Sequence, residues 1–545
     1  LTLTSPFYKC VQRSSILDQR SSPFKANAAG DKREGTMTFT RLMGGAAMGA
    51  LVAAGLSGAA WAAAGDECVK VLGYEWSGEK QSMDPADMHS GDDAYHTFAV
   101  YNRLVDIDDN FNVIPELATE WFVSDDGLTW TFKLRDGVKF HSGKDFSSAD
   151  VVYSFKRLLD EKTGSGARAV LEFLDPEGIK APDARTVTFT TKQPVVELPV
   201  LISNKFTNIV PDGAKREDLR LHGDGTGPFM QEEFTPNAPV RILRRNPNYW
   251  DPGKPKAECL RITVAQEAVA AVSAIKSGEV DLVLNVDPSV IPALKDDPNV
   301  TLLETGASNS MTVSFWVDTK PFDDVRVRQA LKAVVDRQAM VDTVLLGFGE
   351  VGADNPVPIG SPASFTKVAP KQDYERAKRL LAEAGYGNGL KFDLYTAEGV
   401  PGMVRMAQVY AEMAKPAGID VNVVVTPAES FWDDVWLQQP AVTSAWSMRP
   451  PGEGLAVAYT QNAKWKETHW ERPDYDALLL KANTTVDTEE RLKLFRQAGE
   501  LLANEGGVII PMFVHQVLAL RKGCEGYTPR AQNFNLNFED LSCSN

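Results

Sequence analysis

The stretch LKFDLYTAEGVPGMVRMAQVYAEMAKPAGIDVNVVVTP, residues 390–427, decides the fold class. LKFDLYT has the two-residue period of a strand, GMVRMAQVYAEMAKPAG that of a helix, and VNVVVTP is a second strand. The pattern extends in both directions. Upstream, DYERAKRLLAEAGYG predicts a helix with Asp373 as N-cap, Tyr374, Ala377, Leu380, Leu381 and Ala384 inward, and Gly385 as its stop. Downstream, ESFWDDVWLQQ predicts another helix and AVTSAWSM a third strand. Strands alternating with helices imply βαβ units and a mostly parallel sheet. Right-handed crossovers then align the carboxyl ends of the strands along one edge, where open α/β sheets bind ligands. Arg449 lies just past such an end, with two prolines and two glycines close behind it.

Nearer the N-terminus, TWTFKLRDGVKF alternates Trp130, Phe132 and Leu134 with polar neighbours, turns at Asp136-Gly137, and resumes with Val138 and Phe140. This predicts a hairpin. The following SSADVVYSFKRLLDE predicts a helix with Val151, Val152, Phe155, Leu158 and Leu159 on one face and Ser147 and Asp150 spaced as a capping box.

A chain of 545 residues is too long for one core, so two or three domains are expected. Its apolar fraction of 43% and charged fraction of 24% are those of a soluble globular protein. Net charge is −16, and since the first 64 residues carry seven Lys/Arg against three Asp/Glu, the remainder carries about −20. Such a surface repels phosphate backbones and anionic lipid, which argues against nucleic-acid binding. From Met37, the run MTFTRLMGGAAMGALVAAGLSGAAWAAAGDE has the layout of a secretory signal peptide at 37–64, cut after Ala62 or Ala64, so a periplasmic location is expected. No cysteine placed to carry a lipid follows it. Residues 1–36 lack apolar periodicity and are set aside as a segment upstream of the true start. Beyond Cys10 the cysteines form an even set, Cys68, Cys259, Cys524 and Cys543, as an oxidising compartment favours. Of the three possible pairings, the expected one joins Cys68 to Cys259, tying CVKVLGY to CLRITV, and Cys524 to Cys543 across a short loop.

Catalytic and cofactor motifs give little. The six histidines form no HExxH and the cysteines no CxxC, so neither a metal site nor a cofactor is expected. DIDDNFNVIPEL begins like a calcium loop at Asp106, Asp108 and Asn110 but has Leu117 where the twelfth-position glutamate belongs, and is better taken as a turn. GDGTGPF, residues 223–229, has neither a phosphate-loop lysine nor dinucleotide spacing, and reads as a flexible crossing segment. No nucleophile elbow follows the leader.

Several blocks carry a family resemblance. PELATEWFVSDDGLTWTFKLRDGVKFHSGKDFSSADVVYSFKRLLD (115–160), GTGPFMQEEFTPNAPVRILRRNPNYW (225–250), PFDDVRVRQALKAVVDRQAMVDTVLLGFGE (321–350) and EERLKLFRQAGELLANEGGVIIPMF (489–513) stand in that order. Together they resemble the bacterial extracellular solute-binding proteins of family 5, the dipeptide, oligopeptide and nickel type of ATP-binding-cassette (ABC) importer. The resemblance implies a non-enzymatic, monomeric receptor that works with separate ABC permease and ATPase subunits. The implied fold is α/β, periplasmic-binding-protein-like of type II, with two lobes closing by a hinge on a peptide or other small solute. One discontinuous domain would comprise 65–108, 228–308 and 500–545; a β-rich insertion would occupy 109–227 and the βαβ lobe 309–499.

The resemblance also places the strand end in the cleft, making Trp446, Ser447, Met448 and Arg449 candidate ligand contacts. Peptide-binding members typically carry an aspartate, which holds the peptide amine, at the position of Arg449. The arginine reverses that charge and favours an anionic group through its planar fork; its alternative partner is a protein acid such as Glu453. The loop after the DP motif supplies His89, Ser90, Gly91, Asp92 and Tyr95 as further candidates. Trp432 and Trp436, four residues apart, are expected in the core. A peptide or peptide-like solute with a carboxylate is the expected ligand, with a saccharide, opine or other anionic conjugate next; an exported hydrolase is the rival from another class.

Overall fold

The computed structural model describes residues 67–544, apart from 74–80, 89–90, 172, 232–233, 237, 265–267, 287–289, 399, 464 and 532–535. The expected upstream segment and signal peptide lie outside the described residues.

The architecture is mixed α/β. One large sheet runs, in spatial order, through Ile419–Thr426, Leu390–Ala397, Ala441–Ser447, Val300–Phe315, Val508–Arg521, Leu282–Val283, Val69–Gly73, Cys259–Val264, Val240–Arg245 and Phe229–Met230. Its first three strands are the βαβ series: Leu390–Ala397 pairs in parallel with both Ile419–Thr426 and Ala441–Ser447. The helix Tyr374–Glu383 starts where expected, because the Asp373 carboxylate accepts the Arg376 amide at 2.8 Å. Helix Met403–Ala414 buries Met403, Met406, Ala407 and Tyr410 against these strands. The helix expected at ESFWDDVWLQQ is shorter than its pattern. It consists of Ala428–Ser430 and one wide turn, Phe431–Val435, closed by a bond from the Trp436 amide to the Phe431 carbonyl.

Two long strands hold the sheet together. Val300–Phe315 and Val508–Arg521 are antiparallel partners over most of their length. One end of the pair, at 309–315, joins Ala441–Ser447; the other end, at 519–520, joins Leu282–Val283. Between them the register slips on either side of Ala307, so the ladder is interrupted midway. The Asp109 carboxylate accepts the Gly306 amide there at 2.6 Å and the Ala531 amide at 2.8 Å. These strands, and not GTGPF, pass between the halves of the sheet.

GTGPF is packed closely. A Cβ on Gly225 would stand 2.0 Å from the Val100 carbonyl oxygen, and one on Gly227 2.5 Å from the Val100 carbonyl carbon. Thr226 is fully buried and donates to Asn102 Oδ1 at 3.0 Å. The glycines here serve close backbone approach, not mobility.

A separate antiparallel sheet, in the order Ala118–Val123, Thr129–Leu134, Thr186–Thr191, Leu174–Asp183, lies in the 109–227 region. Trp130, Phe132 and Leu134 face its core with Val151, Phe155 and Leu158 of helix Ser148–Leu159, whose Ser147–Asp150 capping box is formed. The expected hairpin partner is wrong. Gly137 turns the chain at φ +72°, but Thr129–Leu134 pairs with 118–123, the strand just before it, and with 186–191, a strand distant in sequence. Val138 and Phe140 alternate because both are buried in the same core, with one bridge from Lys139 to Asp145 between them.

Val69–Gly73 and Cys259–Val264 are parallel neighbours in register, which sets Cys68 beside Cys259, and these two form a disulfide. Cys524 and Cys543 form the second across a short antiparallel pair. Among the described residues, no helix is long and apolar enough to cross a membrane.

Candidate functional site

Strand Ala441–Ser447 pairs in full with 309–315 of the long central strand, setting Trp446 opposite Ser310 and Ser447 opposite Asn309. Directly opposed residues of an antiparallel pair project from the same face. The Met448 amide extends the ladder by donating to the Ser308 carbonyl at 2.9 Å. The chain then leaves the sheet at Arg449, and Pro450-Pro451 starts the short helix Pro451–Ala456.

Two cavities meet at this corner. One is walled by Ser310, Trp446, Ser447, Val457 and Tyr459. The other lies between 109–111 on one side and Pro356–Pro358, Ser361 and Pro451 on the other. Pro356, Met448 and Arg449 line both. Arg449 therefore stands at the junction of a continuous groove.

Arg449 is charge-balanced within the protein. Its Nε donates to Glu453 Oε1 at 2.8 Å and Nη1 to the Ser447 carbonyl at 3.0 Å, and Nη2 has no partner among the described residues. The guanidinium lies over the Trp446 ring at 5.7 Å. Glu453 is half exposed, so the pair is solvent-screened and contributes at most about 1 kcal/mol.

Trp446 is held from behind. Glu467, fully buried, accepts from Ser314 Oγ (2.9 Å) and Trp446 Nε1 (3.2 Å) on one oxygen, and from Ser444 Oγ (2.8 Å) and Trp436 Nε1 (3.2 Å) on the other. Burial pushes its carboxyl pKa up, and the four donated hydrogen bonds oppose that shift. Trp446 also packs against Trp436 and Trp465, each with ring centroids 5.9 Å away. Trp432 and Trp436 meet edge-on at 5.4 Å within the same core.

The N-terminal candidates fare differently. His89 and Ser90 lie outside the described residues; Gly91 and Asp92 open the helix Gly91–Val100, with side chains also outside them. Tyr95 is buried in the core around Val69 and Val71 and covers Gly73, where a Cβ would stand 2.1 Å from its ring. It lines neither cavity. A tyrosine four residues after a loop candidate looks like a loop residue in sequence, but the helix begins early enough to turn it into the core.

Ser310, Tyr459, Pro356 and the 109–111 turn are groove residues that sequence reasoning missed. That turn was legible as a turn: Asp108 Oδ1 accepts the Asn110 and Asn112 amides at 2.8 and 2.9 Å. Phe111 is forced to φ +61°, a strained region for an aromatic residue, and lines the second cavity, which lies outward of the one walled by Trp446 and Tyr459. A further contact joins the 109–227 region to the other side. Glu197 approaches Gly452, where a Cβ would stand 3.0 Å from its Oε2, and its pKa is raised to about 7 by burial against the opposing pull of Arg491.

Among the described residues, this groove brings one cation, Arg449, to an aromatic backing. A family model described as bacterial extracellular solute-binding proteins, family 5 Middle, matches residues 112–467. Heme-binding protein A of Haemophilus influenzae is 30% identical over 448 residues, covering 74% of this chain and 80% of its own. The dipeptide-binding protein of Escherichia coli is 28% identical over 518 residues, covering 87% and 95%. The solved structure of HbpA2 from Haemophilus parasuis is similar with a TM-score of 0.77 at 26% identity, over 88% of this chain and all of that one. The chain belongs to the bacterial extracellular solute-binding proteins, family 5, and has their two-lobed α/β fold. Its function is that of a substrate-binding protein for ABC-type import, and members of the family are binding proteins, not enzymes.

Proposed function

We propose that this protein is exported to the periplasm, where as a monomer it captures a peptide or peptide-like solute bearing a carboxylate and presents it to separate permease and ATPase subunits. The observation carrying this reading is Arg449 at the junction of both cavities, with Nη2 unengaged. A free α-ammonium brought to this corner meets a cation; a carboxylate meets a planar donor. The dipeptide-binding relative supports the peptide class, and Arg449, standing where the family resemblance leads one to expect an aspartate, favours an anionic group.

Closure would bend the two central strands near 305–308 and 514–516, where the ladder slips, bringing the 65–108, 228–308 and 500–545 domain with its 109–227 insertion onto the 309–499 lobe. Native mass spectrometry of the protein as purified tests the ligand class: a co-purifying peptide-like acid recovered unchanged supports it. A saccharide or opine would move the ligand class to the second expectation, and turnover of added ligand would overturn the binding-protein reading. Arg449→Ala should weaken the recovered acid by at least about 1.5 kcal/mol, as for a charged hydrogen bond, with the melting temperature retained. Unchanged affinity removes Arg449 from the site.

A further inference from the structure

The inner cavity has a chemistry that Arg449 alone does not explain. Most of its wall is apolar: Pro356, Trp446, Met448 and Val457. Three hydroxyl residues interrupt that wall; Ser447 is exposed, while Ser310 and Tyr459 are each only 2% exposed. Neither hydroxyl has a hydrogen-bond partner among the described residues, and neither oxygen is among the polar atoms sealed from solvent. The little surface each residue keeps therefore includes its hydroxyl. A buried hydroxyl without a partner is costly, and native interiors leave few of them, so the cavity's occupant is the expected partner.

The fold brings these groups together from separate elements. Ser310 stands on the central strand directly across from Trp446, on the same face. Arg449 precedes the helix Pro451–Ala456 and Tyr459 follows it. The Trp446 N–H is already used, because it is bound to Glu467, and the Ser447 hydroxyl lies on the exposed side. Among the described residues, no carboxylate lines the inner cavity. Burial, then the nearby Glu467 and Tyr475, push the Tyr459 phenol well above its usual range, so it remains a proton donor.

We propose that Ser310 Oγ, Tyr459 Oη and Arg449 Nη2 form one anion subsite that takes the carboxylate of the solute, with the body of the solute running past Met448 towards Phe111. This rests on the reading of Arg449 given above and goes further. It fixes the direction in which the solute lies, acid inward, and names two neutral donors that select for an acid over its amide. Glu453 holds the guanidinium while the site is empty, and a ligand carboxylate adds to that pair through Nη2 without displacing it.

The test uses the mature full-length chain and three probes: the dipeptide Ala-Phe, its N-acetyl derivative and its C-terminal amide, titrated by calorimetry. The acid forms should bind and the amide should bind at least tenfold more weakly. Tyr459→Phe, which keeps the ring and removes only the hydroxyl, should weaken the acid forms about tenfold and leave the amide unchanged; Ser310→Ala should act in the same direction. Equal affinity for acid and amide, or unchanged acid affinity in both variants, overturns the subsite. Absence of binding by all three probes counts against the peptide reading, and the subsite is then decided with succinate. A rise in the melting temperature of the wild-type chain with succinate that Tyr459→Phe and Arg449→Ala abolish supports it; no rise, or a rise that both variants retain, overturns it.

Discussion

Glu467→Ala isolates the support behind the groove at Arg449. The carboxylate is fully buried, makes no ion pair among the described residues, and satisfies two indole N–H groups and two serine hydroxyls. Removing it leaves the four donors in different positions. Ser444 Oγ already lies 2.7 Å from Thr312 Oγ1 and can turn to it, and the Ser314 hydroxyl can rotate. The indole N–H groups of Trp436 and Trp446 are fixed by their rings and stay orphaned, at about 1–3 kcal/mol each. Relief of the buried carboxylate's desolvation offsets part of that loss, so the expected net destabilisation is about 3 kcal/mol. For a lobe of this size that lowers melting by about 6–12 °C. Glu467→Gln keeps the volume and one acceptor oxygen and should lose less. Since Trp432, Trp436, Trp446 and Trp465 form one chain of ring contacts, intrinsic tryptophan fluorescence during thermal melts reports on the network itself. A melting temperature for Glu467→Ala within 2 °C of wild type, with unchanged emission, would refute the argument that this carboxylate fixes Trp446.

Two further predictions concern the frame around the groove. Gly225→Ala places a methyl group 2.0 Å from the Val100 carbonyl oxygen, so it should cost roughly 1–3 kcal/mol or more through forced backbone displacement, checked by urea denaturation; a neutral result would mean GTGPF is as loose as its sequence suggests. Glu197 has its folded pKa raised to about 7, above its unfolded value, so the stability it contributes is full below about pH 4.3 and is lost as pH rises through 7. Wild type should therefore lose melting temperature between pH 5 and pH 8 relative to Glu197→Gln, and identical pH profiles for the two would remove Glu197 as the cause.

Several sequence readings rested on local chemistry, which is why the structure reproduces them. The helices after Asp373 and Ser147 start where they do because a carboxylate, of Asp373 in one case and Asp150 in the other, accepts a backbone amide three residues away, whatever the rest of the chain does. The Trp130, Phe132, Leu134 alternation described a strand correctly but could not say which strand it pairs with. The period fixes a face, and the nearest apolar run, at 138–140, offered the same face without being the partner.

By itself, the sequence determined the βαβ series, the even set of four cysteines, and the ending of the strand Ala441–Ser447 at Arg449, each of which depends on period, parity or neighbouring residues. The choice among the three pairings was settled by the strands that set Cys68 beside Cys259 and Cys524 beside Cys543. Only the tertiary structure decided what surrounds that arginine. Glu453 is four residues away and could be named in advance, but Ser310 and Glu467 reach Trp446 across the sheet from separate segments. Tyr95, a loop candidate in sequence, turned into the core because its helix begins at Gly91. A serine or tyrosine in a strand or after a short helix carries no sequence mark of an unpaired hydroxyl. That property belongs to the cavity, which exists only once distant strands have paired and excluded the other partners.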